Sequence, residues 1–332
     1  RIAEDKARLE CLVARLDRAG ESYTAGDVVK LYLTPSNRED FFTFTRMLIG
    51  QLRQVGKTHT AERYVTVMNS FGRFRRENEL LWEEVDSDLM VEYETYLKSR
   101  GVCPNTSSYY MRGLRAIYNR AVEKGMTVQR EPFKYVYTGI DKTIKRAVPL
   151  KVIRQIRDLD LTLFPTMDFA RDIFMFSFYT RGMSFIDMAY LKKKDLQGGT
   201  LSYRRQKTGQ QLFVKWEKPM QEIVDKYNTN GTPYLLPIIR DMNADIRRQY
   251  KNAAHLVNDK LKKLGEKLGL TVPLTSYVAR HGWASIARSR NIPLAIISEA
   301  MGHDSEKTTR IYLASLDTTS VDKANSRILK AL

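Results

Sequence analysis

The sequence predicts a mainly α-helical fold with a small β-hairpin or sheet, divided into two domains. Apolar residues recur at helical spacing from Phe41 to Phe133 almost without a break. A basic stretch without that period, K-Y-V-Y-T-G-I-D-K-T-I-K-R-A-V over 134–148, then interrupts the pattern. Beyond it the helical period returns, except where T-L-S-Y-R-R and Q-L-F-V-K-W alternate on either side of a Q-K-T-G-Q turn. At 332 residues the chain has room for two domains and a piece of a third.

Residues 1–36 read as a helical remnant, either the tail of an upstream domain or a plain helical arm. Ile2, Leu9, Leu12, Val13 and Leu16 make an apolar stripe, and a second short helix in E-S-Y-T-A-G-D-V-V-K-L-Y-L stops before Pro35. The chain opens on Arg1 inside a charged helical pattern, which reads as a fragment of something longer. The first full domain is expected over 37–135. F-F-T-F-T-R-M-L-I-G-Q-L-R-Q supplies one helix, and the next carries Tyr64, Met68, Phe71 and Phe74 on one face. D-S-D-L-M-V-E-Y-E-T-Y-L-K-S-R is a capped third helix stopped by Gly101. A fourth, ending at Gly125, presents Tyr110, Arg112, Arg115, Asn119 and Arg120 together. Pattern alone reads that face two ways, as a phosphate-contacting surface or as a core stripe with its arginines in water. Residues 136–148 are the expected basic linker, with Lys142 and Lys145 placed to run along a polyanion, and 149–332 the second domain.

The net charge is +17, which makes a polyanionic partner the first expectation and an ordinary solvated basic surface the bland one. Cys11 and Cys103 are the only cysteines, too few for a disulfide framework or a zinc set, and they fit a reducing cytoplasm. The sequence has no apolar run of about 18 residues and no signal peptide pattern. G-Q-L-R-Q-V-G-K-T at 50–58 imitates a P-loop, but it has five residues between the glycines instead of four and lies on a helical pattern. His59 and His255 have no companions at metal-ligand spacing. A chemistry without metal or cofactor is the expectation.

Such chemistry on a phosphodiester needs cations for the phosphate, a nucleophile, and an acid for the leaving oxygen. The stretch from Ser276 to Tyr312 carries candidates for two of these. Arg280 lies on an amphipathic helix, where a lone Arg is ordinarily a surface residue; its fork suits two phosphate oxygens. Pro293 opens a short helix that ends at Gly302 and presents His303. Asp304 or Ser305 caps the next helix, which carries Thr308, Thr309 and Tyr312; an isolated Tyr is usually core.

The arrangement Arg280-His281, then Gly302-His303, then eight residues and Tyr312 resembles the tyrosine recombinase (phage integrase) family. The resemblance implies that Tyr312 attacks the scissile phosphate, giving a 3′-phosphotyrosyl intermediate and a free 5′-hydroxyl without ATP. Arg280 and His303 would hold the non-bridging oxygens, and Lys207, at the place of the family's hairpin lysine, would protonate the leaving oxygen. Two positions depart from the family pattern. Y-V-A-R replaces H-x-x-R, so Tyr277 stands where a His is usual. T-R-G-M-S-F-I-D replaces T-G-L-R with its later acid, which puts Ser184 at the arginine position. Arg181, one turn earlier, is taken as the substitute; similar R-G-M-S-F segments occur in integrases of conjugative transposons.

The same resemblance, over about residues 37–332, implies a helical core-site-binding domain and a mixed α/β catalytic domain that clamp a DNA duplex. Arg112, Arg115, Arg120, Lys142 and Lys145 become its expected DNA contacts. The expected partners are double-stranded DNA with inverted-repeat core sites, a homotetramer on that DNA, and accessory DNA-bending proteins in some systems. The amphipathic segment after Tyr312 packs on a neighbouring protomer or on its own domain. The expected setting is the bacterial cytoplasm, at the nucleoid. A non-catalytic DNA-binding regulator and a type IB topoisomerase are the alternative readings of these residues.

Overall fold

The structure, a computed structural model, describes residues 22–33, 40–76, 79–141 and 147–314, with isolated positions elsewhere. Lys142 and Lys145, and the amphipathic segment that follows the Tyr312 helix, lie outside the described residues apart from Leu329. The chain divides into two compact units, Arg1–Asp141 and Lys142–Leu332.

Helices in the first unit run over Ala25–Leu33, Phe41–Gln54, Thr58–Arg75, Ser87–Ser99 and Pro104–Glu123. Their ends follow local chemistry. Asp40 accepts from the N–H groups of Phe42 and Thr43, and Asp86 from that of Leu89, so each satisfies donors that the first turn leaves open. Pro104 occupies the first turn of the last helix, where its missing N–H costs nothing. The core between them is aromatic. Phe41, Phe44, Phe71, Trp82, Tyr93 and Tyr118 are all buried, with Phe71 edge-on to both Phe41 and Tyr93. Residues 133–141 belong to this unit. Phe133 and Val136 are buried in its core, and Ser108 Oγ donates to the Gly139 carbonyl at 2.5 Å.

The second unit is built around the helix Pro165–Tyr179, buried along most of its length. Helices Leu150–Arg157, Lys218–Asp225, Ile246–Lys267 and Ser276–Ser289 pack against it. A side of this helix carries charge, and that charge is matched. Arg171 Nε donates to Asp172 at 2.6 Å, while Lys226 and the Tyr227 hydroxyl reach the other oxygen of Asp172 at 2.8 and 2.7 Å. A three-stranded antiparallel sheet, β1 (Leu196–Gln197), β2 (Thr200–Arg204) and β3 (Gln211–Lys215), lies on the core. It includes both strands of the expected hairpin. The register pairs Leu201 with Val214 and Tyr203 with Leu212, and these four form the buried face, with Phe213 exposed on the other. The chain then runs through the short helices Leu294–Met301 and Glu306–Ala314. These close a satellite core of Ala284, Ala287, Ile297, Met301, Tyr312 and Leu313. Among the described residues no helix is long and apolar enough to cross a membrane.

Candidate active site

Three segments of the second unit converge on the Arg280 side chain. The helix Ser276–Ser289 starts where Asn258 Oδ1 accepts the Ser276 N–H at 2.9 Å. Tyr277, Arg280, His281 and Ala284 recur along it at helical spacing and share one face. Arg280 is 3% exposed. Its Nη1 donates to the Gly182 carbonyl at 2.8 Å and its Nη2 to the Met301 carbonyl at 2.7 Å. Nη2 also lies 3.1 Å from His303 Nε2, whereas Nε is buried without a partner. The approach at Gly182 is close. A Cβ there would stand 2.8 Å from the Arg280 Cα, and φ is +79°, so a side chain meets both a clash and a disfavoured backbone.

His303 is presented by the end of the preceding helix. Gly302 adopts φ +61°, and the N–H groups of Gly302 and His303 return to the Glu299 and Ser298 carbonyls, a Schellman turn. The imidazole orientation is fixed from both ends. Arg280 can only donate, so Nε2 accepts; Nδ1 then carries the proton and donates to Thr309 Oγ1 at 2.8 Å. Thr309 is fully buried on the last described helix, three residues before Tyr312.

Tyr312 is 7% exposed, and burial pushes its phenol well above the usual tyrosine value, with the Arg280 charge pulling the other way. Its hydroxyl lies 2.5 Å from His281 Nδ1. The His281 and Tyr312 rings stack at 5.1 Å, and the half-exposed Tyr277 ring stands edge-on to His281 at 4.8 Å.

Arg205, which the sequence reading passed over, completes the cluster. It follows β2 directly, is 6% exposed, and donates through Nη1 to the Gly302 carbonyl. Burial first, and the Arg205 charge second, lower the Arg280 pKa from its ordinary value. Neither guanidinium has a carboxylate partner among the described residues. A signal for Arg205 exists in the strand alternation. Leu201 and Tyr203 point inward, so Arg205 falls on the buried face while Arg204 is exposed.

The remaining expected residues lie as follows. Lys207 is exposed on the β2–β3 turn. That turn is held by the Arg205 N–H to the Gln210 carbonyl at 2.9 Å, and by the Gln206 N–H to the buried Asp187 carboxylate at 2.8 Å. Ser184 caps the helix Phe185–Tyr190 and donates to the other Asp187 oxygen at 2.6 Å. Arg181 adopts φ +62° and sends Nη1 to the Phe213 carbonyl on β3 at 3.1 Å. In the first unit, Arg115 is exposed and lies 3.4 Å from Thr138 Oγ1, whereas Arg112 and Arg120 are half-buried.

Comparison with known proteins places both units. Residues 40–139 match the phage integrase SAM-like domain and residues 165–319 the phage integrase family. Curated relatives include a tyrosine recombinase XerA from Pyrococcus horikoshii, 23% identical, covering 69% of this chain and 90% of that protein. A XerC from Syntrophus aciditrophicus is 25% identical over 77% of this chain and 87% of its own. Among solved structures, a lambda integrase tetramer bound to a Holliday junction covers 92% of this chain and 86% of its own at TM-score 0.65 and 14% identity. The Tn1549 transposon integrase with a circular intermediate DNA covers 88% of this chain and 99% of its own, at TM-score 0.56 and 14% identity. At such identities these structures share the fold.

Proposed function

We propose a catalytic roster from one premise: this chain belongs to the tyrosine recombinase (phage integrase) family, whose members cleave and religate DNA at specific sites. The observation that carries the roster is the pair of buried guanidiniums, Arg205 and Arg280, beside a buried phenol. Burying two like charges with no counter-ion is unfavourable until an anion joins them. A phosphodiester that draws on the unpaired Arg280 Nε and the Arg205 fork supplies that anion. Arg205 and Arg280 then neutralise the charge that grows on the phosphoryl oxygens in the transition state. His303, locked by Thr309, helps to orient Arg280 and the phosphate. Tyr312 attacks phosphorus, the 3′-phosphotyrosyl bond forms, and the bond to the 5′-oxygen breaks. Lys207, on its exposed turn, gives that oxygen a proton. Religation reverses each step.

Arg181 and Tyr277 line the rim of this site. Burial and the mutual charge effect favour Arg205 over Arg181 as the second phosphate ligand. The substrate is double-stranded DNA with inverted-repeat core sites, bound by a tetramer in the bacterial cytoplasm. The expected domains, 37–135 and 149–332, divide the work, with Arg112, Arg115 and Arg120 of the first and Lys142 and Lys145 of the 136–148 linker contacting the DNA backbone and the second acting on it.

The test uses nicked suicide duplexes with a randomised core, captured as covalent adducts by the wild-type protein, amplified and recaptured. Wild-type protein should enrich a site and Tyr312→Phe should form no adduct on it. No enriched adduct, or an undiminished adduct with Tyr312→Phe, overturns the reading.

A further inference from the structure

The nucleophile needs a base, and the position where a histidine is usual holds Tyr277, whose side chain has no imidazole nitrogen to take a proton. One helical turn further along the same face stands His281. Its Nδ1 lies 2.5 Å from the Tyr312 hydroxyl, and the two rings are nearly parallel at 25°. Tyr277 braces the other side of the imidazole, edge-on. The contact is buried, so bulk water has little access to the phenol proton.

We propose that His281 is a catalytic residue, the general base that takes the proton from the Tyr312 hydroxyl as it attacks the phosphate. The inference rests on Tyr312 being the nucleophile. In this role the phenol donates, Nδ1 accepts and the resting imidazole carries its proton on Nε2. In cleavage the Tyr312 O–H bond breaks, its proton moves to Nδ1, and the phenolate oxygen forms the bond to phosphorus. The P–O5′ bond breaks, and the leaving oxygen takes its proton from Lys207. His281 is then an imidazolium beside the phosphotyrosyl group. On religation the 5′-hydroxyl attacks and returns its proton to the neutral Lys207 amine, the P–O bond to Tyr312 breaks, and the phenolate recovers the proton from His281. Protons and charge balance in both directions with no further reactant.

The geometry also gives Arg280 and His281 separate tasks from adjacent positions. Arg280 turns to the Gly182 and Met301 carbonyls and to His303, whereas His281 turns to the Tyr312 hydroxyl. Tyr277 becomes a positioning residue that acts through the imidazole.

The experiment measures single-turnover cleavage of the enriched suicide duplex by the full chain. A second duplex carries a bridging 5′-phosphorothiolate, whose sulfur leaves without needing a proton. His281→Asn keeps a hydrogen-bonding group near Nδ1 but removes the base, and cleavage should slow by about 100-fold or more. The defect should persist on the phosphorothiolate, while the Lys207→Ala defect should largely disappear there. Added imidazole should accelerate His281→Ala at least tenfold, and substituted imidazoles should do so in the order of their basicity, a dependence that a structural role would not produce. Cleavage by His281→Asn within about threefold of wild type overturns the proposal. So does recovery of His281→Asn on the phosphorothiolate, or a folded His281→Ala protein that no imidazole accelerates. If Tyr312→Phe forms no adduct while His281→Asn cleaves normally, this proposal falls and the nucleophile stands; if Tyr312→Phe still forms the adduct, both fall.

Discussion

Arg205 is the residue on which the proposed chemistry turns most sharply. Removing its guanidinium takes away a donor from a water-poor phosphate site, where one such donor contributes about 100-fold to 1,000-fold in rate. Arg205→Ala is therefore expected to slow adduct formation by about 100-fold or more. Arg205→Lys should recover only part of the loss, because an ammonium cannot reproduce the two-pronged contact. Arg181→Ala should stay within about tenfold, since its guanidinium is less buried than that of Arg205 and a donor nearer water contributes less. The reverse ranking in single-turnover cleavage would move the second phosphate ligand to Arg181. Most of this cluster is legible in the sequence as spacing. The R-H dipeptide, the G-H turn and the eight residues before Tyr312 are local patterns on two helices and a loop. Arg205 and the His281 contact are harder to read, because each depends on a meeting between elements distant in the chain. Arg205 meets Gly302 across 97 positions and His281 meets Tyr312 across 31. The alternation of β2 does mark Arg205 as a charge on a buried face, but not what it faces.

Elements hold those residues in place through their ends. Gly302 serves as cap and contact point at once. A Cβ there would lie 2.9 Å from Leu212 Cδ1 and 3.1 Å from Arg205 Cδ, at a left-handed φ. Helix boundaries of this kind are readable from Gly, Pro, Asp and Ser, and helices such as Phe41–Gln54 and Ser87–Ser99 follow from them. Less readable is how residues 136–141, without helical period in the sequence, attach to the first unit. The Tyr137 N–H donates to Glu94 Oε1 at 2.8 Å, and Lys98 binds Oε2 at 2.8 Å. Burial raises the Glu94 pKa, but these two hydrogen bonds outweigh it and leave the carboxyl below its ordinary value. A carboxyl depressed in the folded state stabilises the fold above its unfolded pKa, and that contribution is lost as pH falls through the folded value. The first unit should therefore melt lower as pH falls through and below the ordinary glutamate range, and Glu94→Gln should flatten this dependence. Thermal unfolding of residues 40–141 followed by circular dichroism across that range is the check. An unchanged pH slope in Glu94→Gln would remove Glu94 from the attachment of this segment.

At the scale of the molecule, the charge and the two cores point to one measurable behaviour. A chain at net +17 that neutralises backbone phosphates releases their counter-ions, so affinity for duplex DNA falls steeply with salt. With about six or more phosphate contacts, binding should weaken by about a thousandfold between 50 and 200 mM salt. The aromatic core of Arg1–Asp141 and the core around Pro165–Tyr179 are complete in themselves, so each unit has the means to fold alone. The chain can then be divided at Asp141, and the contributions of the two units to the salt slope measured separately. If Arg112, Arg115 and Arg120 contact phosphates, the full chain should show a steeper slope than the fragment that begins at Lys142. Arg112→Ala and Arg115→Ala should each reduce it by about one unit, with affinity falling evenly across sequences. Fluorescence anisotropy titrations on the enriched site and on an unrelated duplex, each at several salt concentrations, read both quantities. Equal slopes for chain and fragment would confine phosphate binding to the second unit. The basic face of the Pro104–Glu123 helix would then revert to an ordinary solvated surface.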